Sequence, residues 1–164
     1  MDKFGQELLQ LLKELLVAYR QLQAVASQRQ EAMRTFDVER MNALLEQERP
    51  LTERLEALEK ARRMLVEKIK FFGGRGFEPT TSAIAAKCGE PLKTQLLVTA
   101  AGLRDAVESL NRANRINSKV ATTVVQSLAR VLKIVTGIAQ HAGLYMRNGR
   151  KASVSGIHLL EVTA

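Results

Sequence analysis

The sequence predicts an all-α fold. The expected architecture is an antiparallel bundle of long helices with coiled-coil-like packing: a helical hairpin plus a long C-terminal helix, with a short connecting helix and a flexible C-terminal tail. Three observations carry that prediction. Apolar residues recur at alternating spacings of three and four over most of the 164 residues, which lays a stripe down one helix face. The three prolines and ten glycines cluster at a few points and so separate long elements. There is no Trp and the aromatic content is only 4%, so the core must be aliphatic.

The first helix is expected over about residues 2–34, with Leu8, Leu11, Leu15, Ala18, Leu22 and Val25 on its seam. The phase slips at Thr35-Phe36-Asp37, and Asp37 is placed to cap a new helix. A second, antiparallel helix follows over about 38–71, with Met41, Leu44, Leu51, Leu55, Leu58, Leu65 and Ile69 on its seam. One continuous helix through Asp37 is the competing reading. Pro50 lies inside the second helix, where it should kink it or remove one hydrogen bond. Gly73 or Gly74 can take a left-handed cap, and Phe71 and Phe72 are expected to cover the bundle end. Thr80 and Thr81 open a short helix over about 81–88, which stops at Gly89. Pro91 starts the last helix, about 91–142.

That last helix carries the cleanest seam, from Leu103 and Val107 through Val124, Leu128, Val131, Val135 and Ile138. Lengths make part of it conspicuous. The hairpin helices are each roughly 50 Å long and the last is roughly 75 Å at 1.5 Å per residue. The seam beyond about residue 125 should therefore outrun its partners, and soluble proteins rarely leave such a stripe bare. Either the helix bends back near Gly137, or a partner chain covers the stripe, whether a second copy or a client. The partner reading makes Val124, Leu128, Val131, Val135 and Ile138 candidate binding residues.

The bundle, residues 1–142, ends at Gly143. The tail, 143–164, abandons the helical pattern with a mixture of Gly, Ser and cations, and it cannot bury enough apolar surface to fold alone. Its Tyr145 suits a docking role beside Gly143 and Gly149, the alternative being a helix-end anchor. Asn111, Asn114 and Asn117 form a second polar signal. Asn is a mediocre helix former, and Asn on a seam fixes register and neighbour choice at a cost in stability. The alternative places all three in water.

Catalytic chemistry is not legible. His141, His158 and Cys88 have no metal-ligand spacing, so no metal or cofactor is expected. Gly73-Gly74-Arg75-Gly76 lacks the Lys-Ser/Thr of a phosphate loop. Glu46, Glu48, Glu53 and Glu56 alternate with Arg49 and Arg54 as solvated helix ion pairs do. A single cysteine forms no internal disulfide, no signal-peptide block opens the chain, and no run nears the ~20 apolar residues of a membrane span, so a cytoplasmic protein without membrane insertion is expected. The net charge of +8 would suit an acidic partner, but the cations are spread along helices rather than massed, and a solvated basic surface is the preferred reading. Nucleic acid is disfavoured, since neither massed cations on one face nor stacking aromatics are evident.

Three stretches together resemble the FlgN family of flagellar export chaperones. They are Leu55-Glu56-Ala57-Leu58-Glu59-Lys60-Ala61-Arg62-Arg63, Leu110-Asn111-Arg112-Ala113-Asn114, and the tail residues Leu144-Tyr145, Gly149 and Ser153-Val154-Ser155. The resemblance implies a non-enzymatic protein that binds hook-associated (hook–filament junction) proteins through its last helix and tail, on the clients' C-terminal helical segments. It also implies delivery to the cytoplasmic domain of the flagellar export gate, with Tyr145 at the position of the family's gate-contacting tyrosine. The basic pI and Pro50 depart from the family pattern. A homodimer of the free protein is compatible with the bare stripe. The competing functions are a basic coiled coil that binds nucleic acid and a purely structural dimerising coiled coil.

Overall fold

The structure is a computed structural model that describes residues 1–74 and 76–142, with side chains described through Gly137. Four helices follow in order: α1 (Asp2–Arg34), α2 (Val38–Gly73), α3 (Thr81–Ala86) and α4 (Leu92–Ala142). The chain divides into two compact units, Met1–Val120 and Ala121–Ala164, and α4 contributes to both.

In the first unit, α1 and α2 form an antiparallel hairpin. Its turn is written locally. Phe36 takes a left-handed conformation (φ 54°), which lets the Asp37 N–H reach the Ala32 carbonyl at 2.9 Å and the Phe36 N–H reach that of Met33 at 3.4 Å. That pair of bonds is a Schellman closure, usually built on glycine. A bulky residue there costs about 1 kcal/mol or more, and two further features hold it. The Asp37 carboxylate accepts from the Arg40 N–H at 2.9 Å and caps α2. Val25, Ala32 and Leu44 pack together beneath the turn. The hairpin excludes a continuous helix through Asp37.

Helix α2 continues through Pro50, which is exposed and supplies no N–H to the helix. At its end Gly74 carries the positive φ (84°). Gly73 is demanded by packing instead, because a Cβ there would lie 2.2 Å from the Phe77 ring. Phe77, not the adjacent pair, packs against the core at this end. Phe71 is 83% exposed and Phe72 is 65% exposed, with Phe72 tilted against Phe4 at 5.4 Å between ring centroids and Phe71 edge-on to Phe72, so they do not cover the bundle end as the sequence suggested. The chain reverses at Gly74 and brings Phe77 back over Gly73, which claims the site first.

The Thr80 hydroxyl caps α3, accepting from the Ala83 N–H at 3.1 Å. The helix closes at Ala86, short of Gly89, because its last turn tightens: the Lys87 and Cys88 N–H groups bond to the carbonyls three residues back, Ile84 and Ala85. Ile84, Ala85 and Cys88 plug the core beside Leu8, Leu12, Ile69 and Leu96. Gly5 permits this contact, since a Cβ there would sit 2.7 Å from the Cys88 sulfur.

The first part of α4 runs parallel to α1 and antiparallel to α2. Leu96 joins Leu8 and Leu65, and Leu110 joins Leu22, Ala26 and Leu55 farther along. Leu15, Ala18 and Leu96 are fully buried, which marks the three-helix seam as a dry aliphatic core.

Candidate partner-binding site

Side-chain hydrogen bonds and an ion pair tie the helices of the first unit together. Asn117 is 3% exposed, and its amide nitrogen donates to the Ala26 carbonyl of α1 at 2.8 Å. Its amide oxygen is buried without a hydrogen-bond partner. Asn114 is half-buried, and its oxygen accepts from Arg29 at 3.2 Å; the other arm of Arg29 pairs with Glu48 of α2. One guanidinium thus bridges three helices with its fork geometry. Asn111 is exposed. The three asparagines therefore occupy three environments: core, interface and solvent. The Gln23 amide of α1 also donates to the Ser109 hydroxyl of α4 at 2.7 Å.

Among the described residues two titratable groups are perturbed, both upward. Burial pushes the Tyr19 hydroxyl above its ordinary pKa, and Glu59, to which it hydrogen-bonds, pushes the same way against Arg62. Burial also raises the Cys88 thiol, with the Asp2 carboxylate adding to it, and the thiol donates to the Ile84 carbonyl at 3.2 Å. A raised pKa makes a poor nucleophile. Among the described residues no group of three or more His, Cys, Asp or Glu is placed to hold a metal ion. An open groove of about 990 Å³ between α1 and α2 is lined by Gln10, Leu11, Met64 and Lys68, among others.

The described part of the second unit carries a run of exposed apolar side chains on one helix. Val125 (65% exposed), Leu128 (53%), Val131 (55%), Leu132 (63%), Ile134 (60%) and Val135 (56%) all face out of α4. Val124 is half-buried. At 100° per residue, Val124, Leu128, Val131 and Val135 fall within roughly 60° of one another. Val125 and Leu132 extend that stripe on one side and Ile134 on the other, giving an apolar face roughly 180° wide. The opposite side carries Gln126, Arg130, Lys133 and Thr136, and the Thr136 hydroxyl donates to the Leu132 carbonyl at 2.8 Å.

Of the five residues singled out on the seam, Leu128, Val131 and Val135 are more than half exposed. The side chain of Ile138 and all of Tyr145 lie outside the described residues. The seam pattern missed Val125, Leu132 and Ile134 because a two-per-heptad template accepts one residue at each turn. The signal that could have found them is the second seven-residue spacing, Val125 to Leu132, running beside the first.

Among the described residues, no helix is long and apolar enough to cross a membrane. The model of the FlgN protein family matches residues 1–153. Comparison with curated proteins and with solved structures gives no match.

Proposed function

We propose that this chain, which belongs to the FlgN family of flagellar export chaperones, holds its client on the apolar face of α4 and delivers it through the tail. Proteins of the family bind flagellar hook-associated proteins. Here the client's C-terminal helical segment lies along Val124, Leu128, Val131, Val135 and Ile138, widened by Val125, Leu132 and Ile134. The tail then presents Tyr145 to the cytoplasmic domain of the export gate, and the exchange takes place in the cytoplasm. A tyrosine suits a transient dock, offering a large apolar face and one hydroxyl at small entropic cost.

The observation that supports this reading is the exposure of six consecutive-turn aliphatic side chains, each more than half open to solvent. Fully burying one is worth about 1.5–3 kcal/mol, so covering a half-exposed one gives about 1 kcal/mol. Six such residues give on the order of 6 kcal/mol, comparable with the 4–15 kcal/mol lost on association. The face is thus a weak, reversible holder by itself, which suits a carrier that must release. Further contacts from the face's rim or the tail have to supply the rest.

The test is calorimetric titration of a hook–filament junction protein with Leu128→Asp and Val135→Asp. Each substitution loses an aliphatic contact and buries a carboxylate without a partner. Affinity should fall more than tenfold while circular dichroism remains helical. Unchanged affinity in a folded variant would remove this face from client binding.

A further inference from the structure

The described part of the second unit is a helix with two unlike sides. At 100° per residue its apolar face runs from Ile134 through Val124 to Val125, a half-cylinder roughly 180° wide. Six of its aliphatic side chains are more than half exposed, and Ser127 is its one polar interruption among the described residues. The other half-cylinder carries Gln126, Arg130, Lys133 and Thr136, all exposed. Lys133 lies almost diametrically opposite the middle of the apolar face, and Arg130 roughly 40° beyond its Ile134 edge. The surrounding stretch has one sign of charge. Residues 109–160 hold eight Lys and Arg and no Asp or Glu, whereas residues 1–108 hold 17 against 16.

Width and charge placement together select an occupant. A single partner helix covers a narrow seam, about two positions in seven, and leaves the edges of a half-cylinder bare. A planar boundary between apolar and polar media covers the whole half-cylinder at once. The charge sits where such a boundary can use it. A protein lying on the face meets the edges, where Thr123 and Thr136 are neutral, and the cation on the far pole stays beyond its reach. A negatively charged surface extends past the helix on both sides, and its potential acts on cations within a Debye length, about 8–10 Å near physiological ionic strength. A helix is about 10–12 Å across with its side chains, so even the far pole falls near that range. Long cationic stems can also bend toward the surface while their methylenes cover apolar area.

Going beyond the client-holding role, we propose that the free protein lays this face into the surface of an anionic lipid bilayer, with the helix axis in the plane of the interface and Arg130 and Lys133 on the water side of the headgroups. The helix rests in the interface and does not cross it, since no described helix is long and apolar enough to span. Residues 121–137 contain no aromatic ring to anchor at headgroup depth, so binding depends on aliphatic burial and charge together. It is therefore reversible and salt-sensitive, and a client that takes the same face releases the protein from the lipid.

The test is co-sedimentation of the full chain with vesicles of phosphatidylcholine alone and of an equimolar mixture with phosphatidylglycerol, at low and moderate salt. The anionic vesicles should be bound at least tenfold more tightly, and the gap should narrow as salt screens the surface. Leu128→Asp, at an exposed position and checked as folded by circular dichroism, should weaken binding to the anionic vesicles more than tenfold. Arg130→Gln/Lys133→Gln should cut the anionic preference at least threefold. Equal binding of the two vesicle types, or no binding of either, overturns the proposal. So does binding that folded Leu128→Asp retains in full, which would reduce the effect to adsorption of cations elsewhere on the chain. Sedimentation velocity should give a monomer; a dimer that Leu128→Asp disperses would assign the face to a second copy instead. A hook–filament junction protein should displace the chain from anionic vesicles. A client that binds while the chain stays on the vesicles would place the client elsewhere and leave the lipid proposal standing. A client bound normally by a chain that ignores vesicles would sink the lipid proposal and leave the client-holding role standing.

Discussion

Replacing Asn117 by Leu should stabilise the bundle, although it removes a hydrogen bond between two helices. Asn117 is 3% exposed and donates to the Ala26 carbonyl at 2.8 Å. Ala26 lies inside α1, where its carbonyl already serves as a helix acceptor. Losing the amide therefore orphans nothing on α1 and costs about 1 kcal/mol. The amide oxygen has no partner, and removing a buried unsatisfied acceptor recovers about 1–3 kcal/mol. Burying a leucine adds about 2 kcal/mol, against an overpacking penalty of about 1–3 kcal/mol. The balance favours Leu by about 1–2 kcal/mol, or a rise in Tm of roughly 2–8 °C for a chain of this size. Thermal melts and urea titrations followed by circular dichroism measure it, with an unchanged urea slope marking a true stability change. Asn117→Asp, which places a charge at the same buried position, should lose more than about 2 kcal/mol at neutral pH. A Tm for Asn117→Leu below that of the wild type would refute the reasoning, because the amide oxygen would then have to be satisfied in solution. Stabilisation would identify Asn117 as a residue that sets α4 against α1 at an energetic cost, as seam asparagines do in coiled coils.

Tyr145→Ala should leave client affinity within about threefold, less than ~0.7 kcal/mol, while binding to the export gate's cytoplasmic domain is lost; gate binding at full strength would end the docking role. Alkaline pH should destabilise the first unit. The folded thiol of Cys88 is raised above its ordinary 9.0, so above pH 9 the unfolded chain releases a proton that the folded chain keeps. Stability is then complete below pH 9 and falls as pH rises through the folded value. Tyr19 adds in the same direction above its ordinary 10.0. Urea titrations from pH 7 to 10 should show that decline, with a shallower slope in Cys88→Ala; identical slopes would show that the thiol does not contribute.

The sequence by itself determined the features that depend on neighbours along the chain. The α1–α2 turn follows from the phase slip and the Asp37 cap, and the start of α3 from Thr80, because both use bonds that span five residues or fewer. The periodic Leu, Val and Ile positions decided the all-α class and most of the seam. Tertiary structure decided what depends on a distant surface. Three asparagines on α4 are chemically equal in the sequence, yet only Asn117 is buried, because only it points at the close approach of Ala26. Arg29 resembles other arginines until α2 and α4 bring Glu48 and Asn114 to its two arms. Phe71, Phe72 and Phe77 are equally apolar, yet the chain reversal at Gly74 gives the core to Phe77 and leaves the pair in solvent. The width of the face on α4 belongs to the same class. Periodicity marks a stripe on any helix, but which stripe remains open is set by the helices that pack elsewhere, since burial is a property of surfaces that meet and not of residues in a row.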